Sequence, residues 1–339
     1  MTASHPTTLT ASASARPSGP VISAETRRER RRHNRRRRLT VLGFMAPWII
    51  GFSVFFIYPL IATVYYSFTK FDLINTPVLV GLRNYNYLLH NDPLLWQSVR
   101  NTLWLVVAIT VGRVGYGLIC ALVLAKIRRG SGIYRTLFYL PALAPPVAAA
   151  LAFVFLFNPG TGPVNELLSH LGISGPLWFN DPRLAKPALA ILGLWVSGEV
   201  MVILLAAVLD VSAELYEAAA LDGAGAWARF RYVTLPAISP ILLFAVINSM
   251  IVGLQYFTEA VVAGAVASGS ADAVGSGTLI GYPDNSTLTY PMWLYQQGFH
   301  NYNMGYASTM ATVLFAVSAV ITVLLVRRMR AAGITEDMA

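Results

Sequence analysis

The sequence is short of several things that most proteins of its length carry. It has a single cysteine, Cys120, set in an apolar run, which leaves no disulfide framework and no cysteine metal site. Charged residues are 12% of the chain, about half the roughly 25% usual in soluble domains, so an ordinary soluble globule is excluded. A disordered chain is excluded too, because that needs low hydrophobicity and high net charge, whereas 55% of these residues are hydrophobic and the mean hydropathy is +0.56. No G-x-x-x-x-G-K-[ST] segment occurs, so the chain cannot cradle nucleotide phosphates in that way. The five histidines (His5, His33, His90, His170 and His300) lie mostly in arms or loops, without H-E-x-x-H spacing, so neither a metal site nor a catalytic residue is expected. No internal repeat is visible.

Long hydrophobic runs are what the chain has instead. A membrane-crossing helix needs about 20 mainly apolar residues, and six stretches qualify: 41–68, 101–125, 133–157, 188–209, 240–266 and 305–326. The first is too long for the 7–15-residue core of a secretory signal, so it reads as a retained span. The organisation expected is a disordered basic arm over 1–38, a six-span domain over 39–330 and a short tail over 331–339.

The few charges are placed unevenly. Of 25 Lys+Arg, ten lie in the N-terminal arm, four over 126–135, two at Arg229 and Arg231, and three over 327–330. The alternate connections hold only Lys70, Arg83, Arg100, Arg183 and Lys186, and Arg113 sits inside a span. Basic loops mark the cytoplasmic side, so the spans are expected to cross an inner membrane with both termini inside. The arginine run at 27–38 then orients the first span and touches anionic lipid. No aromatic residues interleave with it and no nucleic-acid-binding fold remains, so nucleic acid is not an expected partner.

Two outward connections, 69–100 and 267–304, are longer than the 12–15 residues above which loops are usually functional or disordered. Both are rich in aromatic residues, and the expectation is an ordered surface that meets another protein. Inside lies 210–240, DVSAELYEAAALDGAGAWARFRYVTLPAISP. Ser212 can cap a helix with Glu214 in its first turn. Leu215, Ala218, Ala219 and Leu221 give that helix an apolar face, and Asp222-Gly223 signals a turn. A second short helix is expected over 226–233, stopped by Leu235-Pro236.

Glu217-Ala218-Ala219, Asp222-Gly223-Ala224 and Leu235-Pro236 resemble the EAA loop of membrane permease subunits of binding-protein-dependent ABC importers. Tyr58-Pro59-Leu60, Ser67-Phe68 and Val80-Gly81-Leu82-x-Asn84-Tyr85 resemble the carbohydrate branch of that family, the maltose-transporter type. The resemblance covers roughly 46–330 and leaves out the arm. It implies a type I ABC importer fold, an all-α membrane protein of six transmembrane helices with the coupling helices in 210–240. It implies that Glu217, Ala218, Ala219, Asp222, Gly223, Leu235 and Pro236 meet a separate cytoplasmic ATPase dimer, which binds the ATP and Mg, so that this chain needs no cofactor. It also implies an extracytoplasmic sugar-binding protein and a second permease subunit. The first-loop pattern favours a heterodimer with a related chain over a homodimer.

Polar groups inside spans are costly and usually face the bundle interior or a water-filled path. Arg113 and Glu199 lie at comparable depths, so either a buried ion pair or contact with substrate is open to them. Asn248, Gln255 and Glu259 would share one face of a continuous fifth helix, with Tyr256 beside them. Amides and carboxylates bond hydroxyls and an aromatic ring packs on a pyranose; the resemblance implies substrate contacts from this span and the one before it, which makes Trp195, Gly198, Glu199, Asn248, Gln255, Tyr256 and Glu259 the candidate sugar pathway. Interhelical bonds that merely hold the bundle are the alternative for each. Two rivals to a sugar importer remain: an ABC permease for glycerol phosphate or a polyamine, and a proton-driven secondary transporter using Glu199 or Glu259. An intramembrane enzyme has no Ser/His or metal-ligand arrangement in its favour.

Overall fold

The computed structural model describes residues 40–127, 129–269 and 280–331. The basic arm, the tail beyond 331 and the stretch 270–279 of the second long connection, with the expectations placed on them, lie outside the described residues. By internal contacts the chain divides into two units, with the boundary between Ile61 and Ala62, inside the first apolar stretch.

In chain order the elements are α1 (Thr40–Ser67), β1 (Thr69–Lys70), β2 (Val78–Leu79), α2 (Arg83–His90), α3 (Leu95–Ala125), α4 (Ser131–Leu143), α5 (Pro146–Leu156) and α6 (Pro163–His170). They continue as α7 (Ala185–Trp195), α8 (Gly198–Leu209), α9 (Ala213–Leu221), α10 (Ala226–Ala237), α11 (Ser239–Leu254), α12 (Thr258–Ala267), α13 (Tyr290–Tyr295) and α14 (Met304–Ala331). Among the described residues α1, α3 and α14 are each long and apolar enough to cross a membrane. The bent pairs α4–α5, α7–α8 and α10–α11 bring the total to six when each pair counts as one span.

Three of the six apolar stretches are therefore interrupted. The 133–157 stretch turns by 98° between α4 and α5. Pro145 drives Ala144 into an extended conformation (ψ 132°), and Pro145-Pro146 supplies two successive residues with no N–H. α7 and α8 bend by 49°. The Gly198 Cα lies so close to the end of α4 that a Cβ there would stand 2.3 Å from the Phe138 carbonyl oxygen. The expected 240–266 helix stops at Leu254 and restarts at Thr258. In the gap, Thr289 Oγ1 donates to the Tyr256 carbonyl (3.0 Å), so a backbone acceptor freed from the helix stays satisfied.

Prolines are also carried inside helices. A π-type stretch, Ser53–Ile57, lies two residues before Pro59, and another, Phe230–Thr234, two residues before Pro236. A proline ring collides with the carbonyl four residues back and offers no N–H; one wider turn just before it relieves both problems. Leu235-Pro236 thus does not stop α10. The helix passes through to Ala237 and bends by 72° into α11 at Ile238.

The second unit packs on α3. Its buried residues include Leu105, Ile109, Leu189, Leu192, Leu288 and Met292 in one cluster, and Ala121, Leu124, Val200, Met201, Leu204 and Ala245 in another. Helices in lipid gain little from hiding apolar surface from one another, so close backbone approach through small residues matters more. A Cβ on Gly253 would lie 2.9 Å from the Val106 Cα, and one on Gly117 would lie 3.2 Å from the Met201 backbone nitrogen. These two glycines hold α11 and α8 against α3.

The Val80-Gly81-Leu82-x-Asn84-Tyr85 segment knits the end of α1 to α2. Asn84 Nδ2 donates to the carbonyls of Ser67 (3.0 Å) and Thr69 (2.9 Å), and the Tyr85 hydroxyl shares a hydrogen bond with Ser67 Oγ (2.8 Å). Nearby, Asp92 caps α3 by accepting from the backbone N–H groups of Leu94 and Leu95. The same carboxylate accepts from Trp293 Nε1 (2.8 Å) and from the Tyr306 hydroxyl. In the described part of the second long connection, 280–304, Leu288, Thr289, Tyr290 and Met292 are buried.

Candidate functional site

The 210–240 segment folds as two short helices with a tight turn between them. Ser212 Oγ accepts from the Glu214 N–H (3.3 Å) and starts α9. The other end closes in a Schellman arrangement: the Gly223 N–H donates to Ala220 O (3.1 Å) and the Ala224 N–H to Ala219 O (2.9 Å). Gly223 has φ +77°, a conformation a side chain resists, and open space where a Cβ would sit. The glycine is therefore required by backbone conformation and not by crowding. Arg229 Nε donates to Ala224 O (3.0 Å), and the Tyr216 and Thr234 hydroxyls share a hydrogen bond (2.9 Å), so α9 and α10 form one braced piece.

The outer face of that piece is exposed at Glu217, Ala218, Asp222, Gly223 and Pro236, while Ala219 and Leu235 are half-buried. Leu221, Trp227 and Tyr232 are exposed as well, at 90%, 72% and 77%. A short helix with alanines facing outward, an acid at one side and large apolar groups at its end can seat in a cleft of another protein at close range.

The second group lies between α3, α8 and the α11–α12 break. Arg113 Nη2 and Glu199 Oε1 form an ion pair; the Arg113 side chain is 5% exposed and that of Glu199 46%. The arginine end of the pair is buried and the carboxylate remains partly open. Gly198, beside it, is buried at the α7–α8 bend, and Trp195 at the end of α7 is exposed and lies tilted against Phe153.

The polar stripe expected on one helical face does not exist, because the helix is broken between Leu254 and Thr258. Asn248 is half-buried on α11, Gln255 is exposed at the break, and Glu259 is half-buried in the first turn of α12. Tyr256 departs furthest from expectation: it is buried in the apolar core and its hydroxyl donates to the Leu189 carbonyl (3.2 Å), so its ring braces the break and does not face a path.

Two residues join this group that the sequence did not single out. Thr110 Oγ1 on α3 and Ser249 Oγ on α11 are buried without a hydrogen-bond partner, as is Arg113 Nε. Ser249 adjoins Asn248, and Thr110 lies one turn from Arg113; isolated hydroxyls in apolar runs were the available signal. Among the described residues no group of His, Cys, Asp and Glu is arranged to hold a metal ion.

A bundle of broken apolar spans, with a braced helix pair at one end and uncompensated polar groups within, defines a membrane-embedded transport subunit. The chain belongs to the family of inner membrane components of binding-protein-dependent transport systems, whose pattern matches residues 113–332. It is 35% identical over 293 residues to a probable ABC transporter permease protein of Bacillus subtilis, YesP, covering 86% of this chain and 90% of that protein. It is 33% identical over 293 residues to the lactose transport system permease protein LacF of Rhizobium radiobacter, covering 83% and 91%. Its fold matches a chain in the crystal structure of a bacterial alginate ABC transporter in complex with an alginate pentasaccharide-bound periplasmic protein. That match has TM-score 0.74 and 20% identity and covers 88% of this chain and 97% of that one. The chain is thus a multi-pass membrane permease subunit of the ABC importer type.

Proposed function

We propose that this chain is the permease subunit of an ATP-driven sugar importer, lining the translocation pathway and taking its energy from a separate ATPase. The observation that carries the coupling half of this reading is the braced α9–α10 pair, with Glu217 and Ala218 exposed beside the Gly223 turn. ATP and Mg belong on the partner ATPase dimer, and this chain performs no catalysis. An external sugar-binding protein delivers substrate to the outward connections, and a second permease, a related chain, completes the pathway. Both termini lie in the cytoplasm, with the basic segments at 126–135, 229–231 and 327–330 on the same side.

Sugar as the substrate is supported by the relatives named for lactose and, in Bacillus subtilis, for arabinooligosaccharides, the latter 32% identical over 289 residues. On this chain the half-open Glu199, Trp195, Asn248, Gln255 and Glu259 are the groups offered to hydroxyls, joined by Ser249 and Thr110; Gly198 sets the bend that presents them. Arg113, already engaged by Glu199, is not a free cation for a phosphate, which weighs against glycerol phosphate. The deciding experiment is ATPase activity of the assembled, reconstituted complex across solute classes with cognate binding protein. A sugar should stimulate it; stimulation by a polyamine or phosphate ester alone would contradict the reading.

A further inference from the structure

A groove of about 770 Å³ lies where the ends of α3 and α8 meet α10. That volume falls within the roughly 300–1,000 Å³ of small-molecule sites. Its walls are apolar, built from Leu118, Ile119, Leu122, Val208, Leu209 and Phe230. Its rim is basic: Lys126 and Arg229 line it and no acidic residue does. The Lys126 ammonium has no ion-pair or hydrogen-bond partner among the described residues, and Arg229 uses only Nε, on Ala224 O. The hydroxyls of Tyr216 and Thr234 at the same rim satisfy each other.

We propose that this groove is a binding site for one anionic phospholipid of the cytoplasmic leaflet. Its acyl chain would lie along Leu118, Leu122, Val208 and Phe230, and its phosphate between Lys126 and Arg229. Two cations without a counter-charge select an anion, and a trough of aliphatic side chains selects a hydrocarbon chain; an anionic amphiphile meets both demands at once. Ile119 and Val123, on the flank of α3, are exposed at 64% and 55%, as residues in contact with lipid tails are. Because the walls come from α3 and α8 and the far rim from α10, the bound lipid would tie the span ends to the helix pair that faces the ATPase.

The test is photo-crosslinking of the full chain in phosphatidylcholine nanodiscs doped with phosphatidylglycerol bearing a photoreactive acyl chain, with labelled peptides mapped. Label is expected within 118–126 and 226–234. Lys126→Glu should lower it about fivefold or more, as loss of one cation near the surface implies, while Lys126→Arg keeps it. Arg231→Gln, an exposed cation outside the groove, should leave it unchanged. Leu122→Trp, which fills the trough, should remove it while the far-UV spectrum stays that of the parent. Equal labelling by a phosphatidylcholine probe would mean apolar contact without headgroup recognition, and would overturn the proposal. So would label insensitive to Lys126→Glu, or label lost when the chain is assembled with its partner subunits, which would make the groove a protein interface.

Discussion

Among the described residues Arg113 is the only basic side chain in the buried set, and it faces a carboxylate that is half open. Removing one member of a buried pair leaves the other charged and unpaired, which costs more than the pair contributes as a whole. Glu199→Gln is therefore expected to lower stability by about 2 kcal/mol, and Arg113→Leu combined with it to recover most of that loss. A double-mutant cycle on thermal unfolding in detergent measures both. Gly198 is the steric counterpart. Its missing Cβ leaves room for the Phe138 carbonyl, so Gly198→Ala should cost about 1–3 kcal/mol in the same assay, whereas Gly115→Ala, in open space and without a positive φ, should not. Asp92 answers to a third rule. It is the common acceptor for Trp293, Tyr306 and the start of α3, and Asp92→Ala would strand buried donors, at a cost of about 3 kcal/mol.

At the scale of elements, helix ends and breaks decide what each segment can do. The α9 terminus was legible in advance: Ser212 is a capping residue, Gly223 a left-handed one, and both do what their chemistry requires. Gly223→Ala should destabilise that terminus by about 1 kcal/mol. The reading is a fall in ATPase association measured by co-purification, with membrane insertion unchanged. The breaks in the spans were less legible, for reasons that differ. Pro145-Pro146 carried a local signal that hydropathy averages away. The break at 255–257 carried none, since Gln255-Tyr256-Phe257 holds neither Gly nor Pro. It is stabilised from a distance by Thr289 on the Tyr256 carbonyl and by Leu189 on the Tyr256 hydroxyl. The face shared by Asn248, Gln255 and Glu259 assumed an unbroken helix, and the break separates Glu259 from it. Conversely, Leu235-Pro236 was expected to stop α10 and is absorbed by a wider turn.

For the whole molecule, composition was a good guide. Few charges and long apolar runs pointed to lipid, and the structure has three helices long enough to cross a membrane and three bent pairs that bring the total to six when each counts as one span. The positions that join the Glu217 segment to its resemblance are sequence-local, so they could be read directly; the polar interior depends on which helices meet, so it could not. The central claim is that a separate ATPase drives transport through this helix pair. The measurement that tests it is sugar uptake into proteoliposomes holding the parent or the Glu217→Lys chain, with and without the ATPase and binding protein. The account predicts uptake only with the parent chain, ATP and all partners, and its loss in Glu217→Lys with the chain still inserted. Uptake by this chain alone along a proton gradient, or unaltered ATP-driven uptake by Glu217→Lys, would contradict it.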